Sequence, residues 1–348
     1  MVVSERKENT RFGEVSVVKL TNSGGSYVEL SSLGAGILAV GVPDRAGKIE
    51  NVALCYGNVE DYMSDGPCMG KIPGRYANRI AGGRCVVDGV ELELPVNNGP
   101  NHLHGGPDGF QNRLWKTQLL SNGVCFSLVS PDGDAGYPGE LRVTATYRWS
   151  DENELSLVME AKTDKTTIVN LTNHTYWNLD GDNAGSVLDQ ELFVAADRFL
   201  ETDDTLVPTG CLADVSGTPM DFRKWKKLGK DIKADYPALK FGKGYDNCWV
   251  LNGAVAGELI DEAVGLRSEK SGRTLTVATD QPGVQVYTAN WLTGSSPENR
   301  HGRKYEDYEG VAIEAQGFPD APNHSDFPSQ LLRPGETYRR TIVFKFGK

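Results

Sequence analysis

The sequence predicts an all-β protein, a sandwich or barrel of many short strands, and three observations carry that prediction. Hydrophobicity alternates with a period of two along several runs. Turn signals separate those runs. Helical periodicity is scarce. The clearest run places Leu141, Val143, Ala145, Tyr147 and Trp149 on one face and Arg142, Thr144, Thr146, Arg148 and Ser150 on the other, the pattern of a half-buried strand. Leu275 and Val277 alternate with Thr274 and Thr276, and Val284 and Val286 with Gln285 and Tyr287. The C-terminal run T-Y-R-R-T-I-V-F-K-F reads the same way. N-S-G-G, S-D-G-P, N-N-G-P-N, S-P-D-G-D-A-G and D-Q-P-G supply the turns, among 40 glycines and 17 prolines. The best short helical candidates are Val59 to Met63 and Ser329 to Leu332.

The 348 residues allow one large domain or two ordinary ones. No repeat of fixed period, low-complexity linker or long charge run divides them, so one domain over 1–348 is expected. The polar insertion 294–309 reads as a surface loop between two strands. Hydrophobic residues at 39% and charged residues at 24% are an ordinary soluble composition. The net charge of −11 repels phosphate backbones and anionic membranes. Nucleic acid and membrane are therefore poor partners, and a neutral or cationic small ligand is easier to accommodate. No apolar window reaches a membrane span. Met1 to Arg11 is polar and does not read as a signal peptide. Six scattered cysteines without a C-x-x-C pair read as reduced thiols of a cytoplasmic protein.

Five segments could carry chemistry. In T-I-V-N-L-T-N-H-T-Y-W-N-L, 167–179, a strand would point Val169, Leu171, Trp177 and Leu179 one way. Ile168, Asn170, Thr172, His174, Tyr176 and Asn178 would point the other way. His174 would then share a face with amides, a hydroxyl and a phenol. That face suits a carbohydrate cleft; the alternatives are a solvated face or a satisfied core histidine. N-G-P-N-H-L-H-G-G-P-D-G-F, 98–110, carries His102 and His104 two apart, on one face if the segment is extended. A metal site with Asp108 is one reading, although no further His or Glu has ligand spacing. The other is that one imidazole bonds a ligand and its neighbour braces the turn. In K-I-P-G-R-Y-A-N-R-I-A-G-G, 71–83, Asn78 and Arg79 offer an amide and a forked guanidinium, suited to sugar hydroxyls or to an ordinary surface ion pair. In G-V-A-I-E-A-Q-G-F-P-D-A-P-N-H, 310–324, Glu314 faces away from Val311 and Ile313. Shielding by its neighbours would raise its pKa toward that of a working base; the bland alternative is a surface Glu on an edge strand. Asp246, in G-K-G-Y-D-N-C-W-V-L, is by itself common turn chemistry.

Taken together, G-R-Y-A-N-R-I-A-G, N-H-L-H-G-G, T-N-H-T-Y-W-N-L, Y-D-N, V-Q-V-Y-T-A-N-W, I-E-A-Q-G-F-P-D-A-P-N and L-R-P-G-E-T-Y resemble the aldose 1-epimerase (galactose mutarotase) family. They come in the family's order, over about residues 10–348. The resemblance implies one large antiparallel β-sandwich with few short helices, a sugar cleft on one face, and neither metal nor organic cofactor. It implies Glu314 as the base that takes the proton of the anomeric hydroxyl and His174 as the acid that protonates the ring oxygen. It implies that His104 hydrogen-bonds the sugar near the reacting end, and that Asn78, Arg79, Asp246 and Gln285 bind or orient it. Asn247 stands where the family frequently has histidine, and His102 receives no role. The expected reaction is interconversion of the α and β anomers of free aldohexoses such as galactose and glucose. The carboxylate and imidazole should stand on opposite sides of the anomeric centre, across a sugar-sized gap. A monomer or weak homodimer is expected. The rivals are a glycoside hydrolase pairing Glu314 with Asp246 or Asp320, a hexose-6-phosphate 1-epimerase, and a non-catalytic sugar-binding regulator.

Overall fold

Two β layers enclose one main core in the computed structural model, which describes residues 1–348. One layer is a nine-stranded antiparallel sheet. It runs from the edge strand Lys116–Leu120 through Gly123–Ser130, Leu141–Trp149, Glu154–Thr163, Tyr338–Gly347, Thr274–Thr279, Ile260–Arg267 and Glu191–Val194 to Lys226–Lys227. The predicted alternation holds: Leu141, Val143, Ala145, Tyr147 and Trp149 all enter the core, while Arg142 and Arg148 stay exposed. Lysines occupy the short edge strand Lys226–Lys227, a placement that blunts edge-to-edge pairing.

The second layer consists of a five-stranded sheet, Val2–Thr10 to Ile49–Asn51, and a six-stranded sheet. In the latter, Tyr176–Trp177 is followed in space by Val311–Gln316, Gly283–Tyr287, Asp246–Val250, Arg198–Thr202 and Pro208–Asp214. A bridge between Ala53 and Trp177, with Leu54 N–H donating to Tyr176 C=O, joins the two sheets edge to edge. Side chains from all three sheets form the core, among them Val18, Leu157, Trp177, Trp249, Val286, Ile313 and Phe344. The architecture is thus the large antiparallel sandwich that the resemblance implies.

Three local expectations are corrected. The segment 168–179 is not one continuous strand: only Thr167–Ile168 and Tyr176–Trp177 are regular. Between them the backbone pairs irregularly with 70–77, through Asn170 N–H to Arg75 C=O, Ala77 N–H to Asn170 C=O and His174 N–H to Lys71 C=O. The two-sided alternation nonetheless survives, with Val169, Leu171, Trp177 and Leu179 in the core. Val59–Tyr62 does form a 3₁₀ turn, but Ser329 to Leu332 is not helical. Leu331–Leu332 is a strand paired with Thr167–Ile168, because so short a segment gains more from that pairing than from one isolated turn. The one α-helix, Pro237–Gly242, begins on a proline and is too short to show a period. Finally, 294–309 is not wholly a surface loop. Ser296, Asn299 and Tyr305 are buried, the Tyr305 hydroxyl hydrogen-bonds the backbone of Cys55, and Arg300 and His301 both reach Asp182.

Candidate active site

Strand register builds the site. Gln285 lies opposite Glu314, Cys248 opposite Gln285, and Asp246 opposite Tyr287. A two-residue period then sends Asp246, Gln285, Tyr287 and Glu314 to the outer face of the six-stranded sheet. Trp249, Val284, Val286 and Ile313 go to the core. Tyr176, opposite Ala312, joins the outer face. The other wall comes from the small ribbon in which Arg79–Ile80 pairs with His102–Leu103. The cleft between them has a volume of about 690 Å³. Asn78, Arg79, His104, His174, Asp246 and Glu314 line it. Gln285 is buried just beneath, its amide donating to Asp246 Oδ1 at 2.6 Å. The structure therefore brings together all seven residues picked out in the sequence.

Asn78 and His104 adopt left-handed backbone conformations, φ +66° and +54°, that turn them toward each other. The Asn78 N–H donates to His104 Nδ1 at 3.0 Å, and His104 N–H donates to the Asn78 carbonyl at 3.1 Å. Nδ1 is thereby an acceptor, so Nε2 carries the ring hydrogen and is a donor. Burial, reinforced by the nearby His174 and Arg79, pushes His104 well below the usual imidazole range, so it is neutral. The turn needs Gly105, φ +79°: a Cβ there would lie 1.8 Å from the Gly74 carbonyl oxygen. Arg79 is held by Asn98, with Nε donating at 3.1 Å, and approaches Asp246 to 4.0 Å. Asp320 steadies the same turn. Its N–H donates to the Arg79 carbonyl, and its Oδ1 accepts from Ala81 N–H at 2.9 Å.

His174 Nε2 stands 3.4 Å from Glu314 Oε1, and both side chains are buried. No pyranose fits between groups that close. The expectation that they face each other across a sugar-sized gap is overturned: they stand side by side in the lining of the cleft. The cause is the bridge that sets Tyr176 beside Ala312, which brings the 170–177 segment directly against the strand carrying Glu314. Burial drives both toward neutrality. Glu314 is pushed well above the usual carboxylate range, with Asp246 adding to the rise and Arg79 opposing it. Desolvation lowers His174 to about 4, with Lys71 contributing. Glu314 Oε2 and His174 Nδ1 have no hydrogen-bond partner, so polar valences remain open for a ligand. The bland readings of His174 and Glu314 as solvated surface groups do not hold.

His102 and His104 do not share a face. Only His102 is in the strand, and its two ring nitrogens bond the Pro95 carbonyl at 2.7 Å and the Tyr137 hydroxyl at 2.6 Å. It braces the turn, as the second reading of that segment had it. Asp108 is exposed, and no group of three or more His, Cys, Asp or Glu side chains is placed to hold a metal ion. Sequence reasoning gave no role to Tyr287 and Trp291, which line the cleft, or to Phe241, which the short helix delivers there. The alternation in V-Q-V-Y already set Tyr287 on the face of Gln285. The places of Trp291 and Phe241 depend on chain segments outside the regular pattern.

Comparison with known proteins agrees with this architecture. The aldose 1-epimerase family model matches residues 16–345. The chain is 45% identical over 320 residues to galactose mutarotase of Rattus norvegicus, covering 92% of this chain and 91% of the relative. It is 37% identical over 335 residues to aldose 1-epimerase of Escherichia coli, covering 95% and 94%. The solved structure of galactose 1-epimerase from Lactobacillus acidophilus superposes with a TM-score of 0.86 at 31% identity, covering 100% of this chain and 99% of that one. An aldose epimerase homologue from C. elegans gives 0.86 at 32% identity, covering 96% and 99%. Strand order, cleft and near full-length similarity converge on one conclusion: this chain belongs to the aldose 1-epimerase family.

Proposed function

We propose that this chain is an isomerase that interconverts the α and β anomers of free aldohexoses, with Glu314 and His174 exchanging protons with the sugar. The observation that carries the reading is the buried pair 3.4 Å apart at the floor of a polar cleft. The anomeric and ring oxygens of a pyranose are bonded to the same carbon, so neighbouring proton carriers can reach both. Glu314, ionised, takes the proton of the anomeric hydroxyl as its oxygen becomes a carbonyl. The bond from the anomeric carbon to the ring oxygen breaks, and protonated His174 gives its proton to that oxygen. The open-chain aldehyde then sits beside a neutral carboxylic acid and a neutral imidazole. Rotation about C1–C2 and reversal of both transfers close the other anomer. Each positioned group contributes about 10²–10⁴ in rate.

The electrostatics support this cycle. The ion pair that starts it and the neutral pair that accompanies the aldehyde hold the same single proton. Burial favours the neutral arrangement. The site is therefore matched to the intermediate more than to the bound ring, as differential binding requires. Asn78, Arg79, His104, Asp246 and Gln285 bind or orient the sugar in this reading, with His104 Nε2–H as a donor near the reacting end. No cofactor or metal takes part in it.

The surroundings favour a free sugar. Arg79 is the only Lys or Arg lining the cleft, and it faces Asp246, so nothing is left to neutralise a 6-phosphate. Asp320 does not line the cleft and is occupied by Ala81, Asn323 and His324, which disfavours it as a hydrolase carboxylate. The chain acts as one domain in this reading, because a single core of 57 buried residues runs from Val18 to Phe346. It acts on small sugars in the cytoplasm as a monomer or weak homodimer, away from nucleic acid and membranes. No helix is long and apolar enough to cross a membrane. Polarimetry on freshly dissolved α-D-glucose and α-D-galactose tests the reading. Accelerated approach to rotational equilibrium is expected; sugar binding without acceleration would establish the regulator instead.

A further inference from the structure

The segment that pairs with His174 carries a lysine, outside the cleft lining, that the reaction described above does not use. Lys71 is completely buried, as is the carboxyl of Asp65, with which it forms an ion pair. Its Nζ also meets the Tyr62 carbonyl and, at 3.3 Å, Asn112 Oδ1. Asp65 Oδ2 is fixed in turn by the Tyr56 hydroxyl at 2.9 Å and Met69 N–H at 2.8 Å. The same short segment carries the histidine. His174 N–H donates to the Lys71 carbonyl and Gly70 N–H to the His174 carbonyl, each at 2.9 Å. Gly34, φ +64°, leaves the lysine stem its passage, since a Cβ there would stand 2.8 Å from Lys71 Cδ. A buried ion pair of this kind is a poor source of stability, because the desolvation of both ions offsets their attraction. Its position against His174 calls for another explanation.

We propose that Lys71 is a positioning residue for the reaction: with Asp65 it anchors the backbone that carries His174, and its fixed positive charge, buried in that same segment, resists a second proton on the His174–Glu314 pair. This rests on the roles of that pair proposed above. The groups facing His174 are Glu314, Lys71, His104, Tyr176 and Tyr287; Arg79 and Asp246 act on Glu314, and the buried thiols of Cys68 and Cys248 lie near it. Among those facing His174, Lys71 is the one fixed cation, so it sets the acid edge of the range in which the pair holds one proton. Desolvation supplies the larger part of the resistance and Lys71 the tunable part.

The test compares two variants that both destroy the ion pair, only one of which removes the cation. In Lys71→Met/Asp65→Leu the charges are replaced together, so no unpaired ion is left in the interior. In Asp65→Asn the ammonium stays. The readouts are imidazole NMR titration of His174 in the free protein and the pH profile of kcat/KM on α-D-galactose, which reports free-enzyme ionisations. The double variant should raise the His174 midpoint and the acid limb together by about half a unit or more. Asp65→Asn should leave both in place or lower them. A purely structural pair predicts like behaviour in the two variants. An upward move in both variants, or an unmoved His174 midpoint in the double variant, overturns the proposal. Should the roles of His174 and Glu314 be wrong, the NMR midpoint still moves but the acid limb does not follow it, so the two failures are distinguishable. If the double variant does not fold, Lys71→Met alone, read by the same two measurements, decides.

Discussion

Replacing Glu314 by Gln keeps the shape of the side chain and removes the proton acceptor. Three features set the size of the effect. His174 Nε2 is 3.4 Å from the Oε1 that is lost, so the imidazole keeps its place but loses the partner that shares its proton. Asp246 is engaged by Gln285, so that carboxylate is not free to substitute as base. The amide cannot take a proton at neutral pH, so the contribution of one acid–base group, about 10²–10⁴ in kcat, should vanish. At about 1.36 kcal/mol per decade that is about 3–5 kcal/mol of barrier. Binding contacts from Asn78, Arg79, His104 and Asp246 remain, so KM should change little. The fold should be unharmed or more stable, since a buried carboxyl with an unpartnered oxygen is replaced by a group that is neutral in any case. The assay is polarimetric progress on α-D-galactose with a thermal melt on the same samples. A variant that keeps more than about a tenth of wild-type kcat with an unchanged melt would falsify the assignment of Glu314 as base.

Further expectations concern the proton, the turn and the core. The pH profile of kcat/KM should be a broad bell. Its acid limb comes from a second proton entering the pair at His174, which burial lowers to about 4, so activity falls as pH drops toward that value. Its basic limb comes from loss of the shared proton, which burial of Glu314 places well above the usual carboxylate range. A profile unchanged in His174→Asn would count against this. Asp320→Ala removes the acceptor for Ala81 N–H and loosens the turn that carries Arg79. It should raise KM about tenfold with kcat nearly constant, whereas Asp320→Asn, which retains an acceptor, should stay near wild type. Equal loss of kcat in the alanine variant would show that Asp320 does more than hold Arg79. Leu157→Ala, at a fully buried position between the two layers, should cost about 2–5 kcal/mol in denaturant unfolding and leave the pH profile unmoved.

The run L-R-V-T-A-T-Y-R-W determined its own strand, and V-Q-V-Y and V-A-I-E determined which side chains leave the core. The reason is local. A period of two is written into consecutive residues, and burying one face fixes the orientation of all of them. For the same reason Val169, Leu171, Trp177 and Leu179 could be placed opposite His174 even though their segment is not a regular strand. The order of the matched motifs added the chemistry. Distances across the chain were decided only by tertiary structure. That His174 and Glu314 are neighbours and not opposed follows from pairing Tyr176 with Ala312, residues 136 positions apart, which no local pattern encodes. That His102 braces a turn while His104 lines the cleft follows from a left-handed backbone at His104, invisible in the spacing H-L-H. Protonation was decided there too. Folding removes water from both His174 and Glu314 and so disfavours charge on each, with Lys71 adding to the effect at one and Asp246 at the other. The sequence by itself put forward His174 and Glu314 as the candidate acid and base. Folding set the distance between them and the water-poor surroundings that disfavour charge on both.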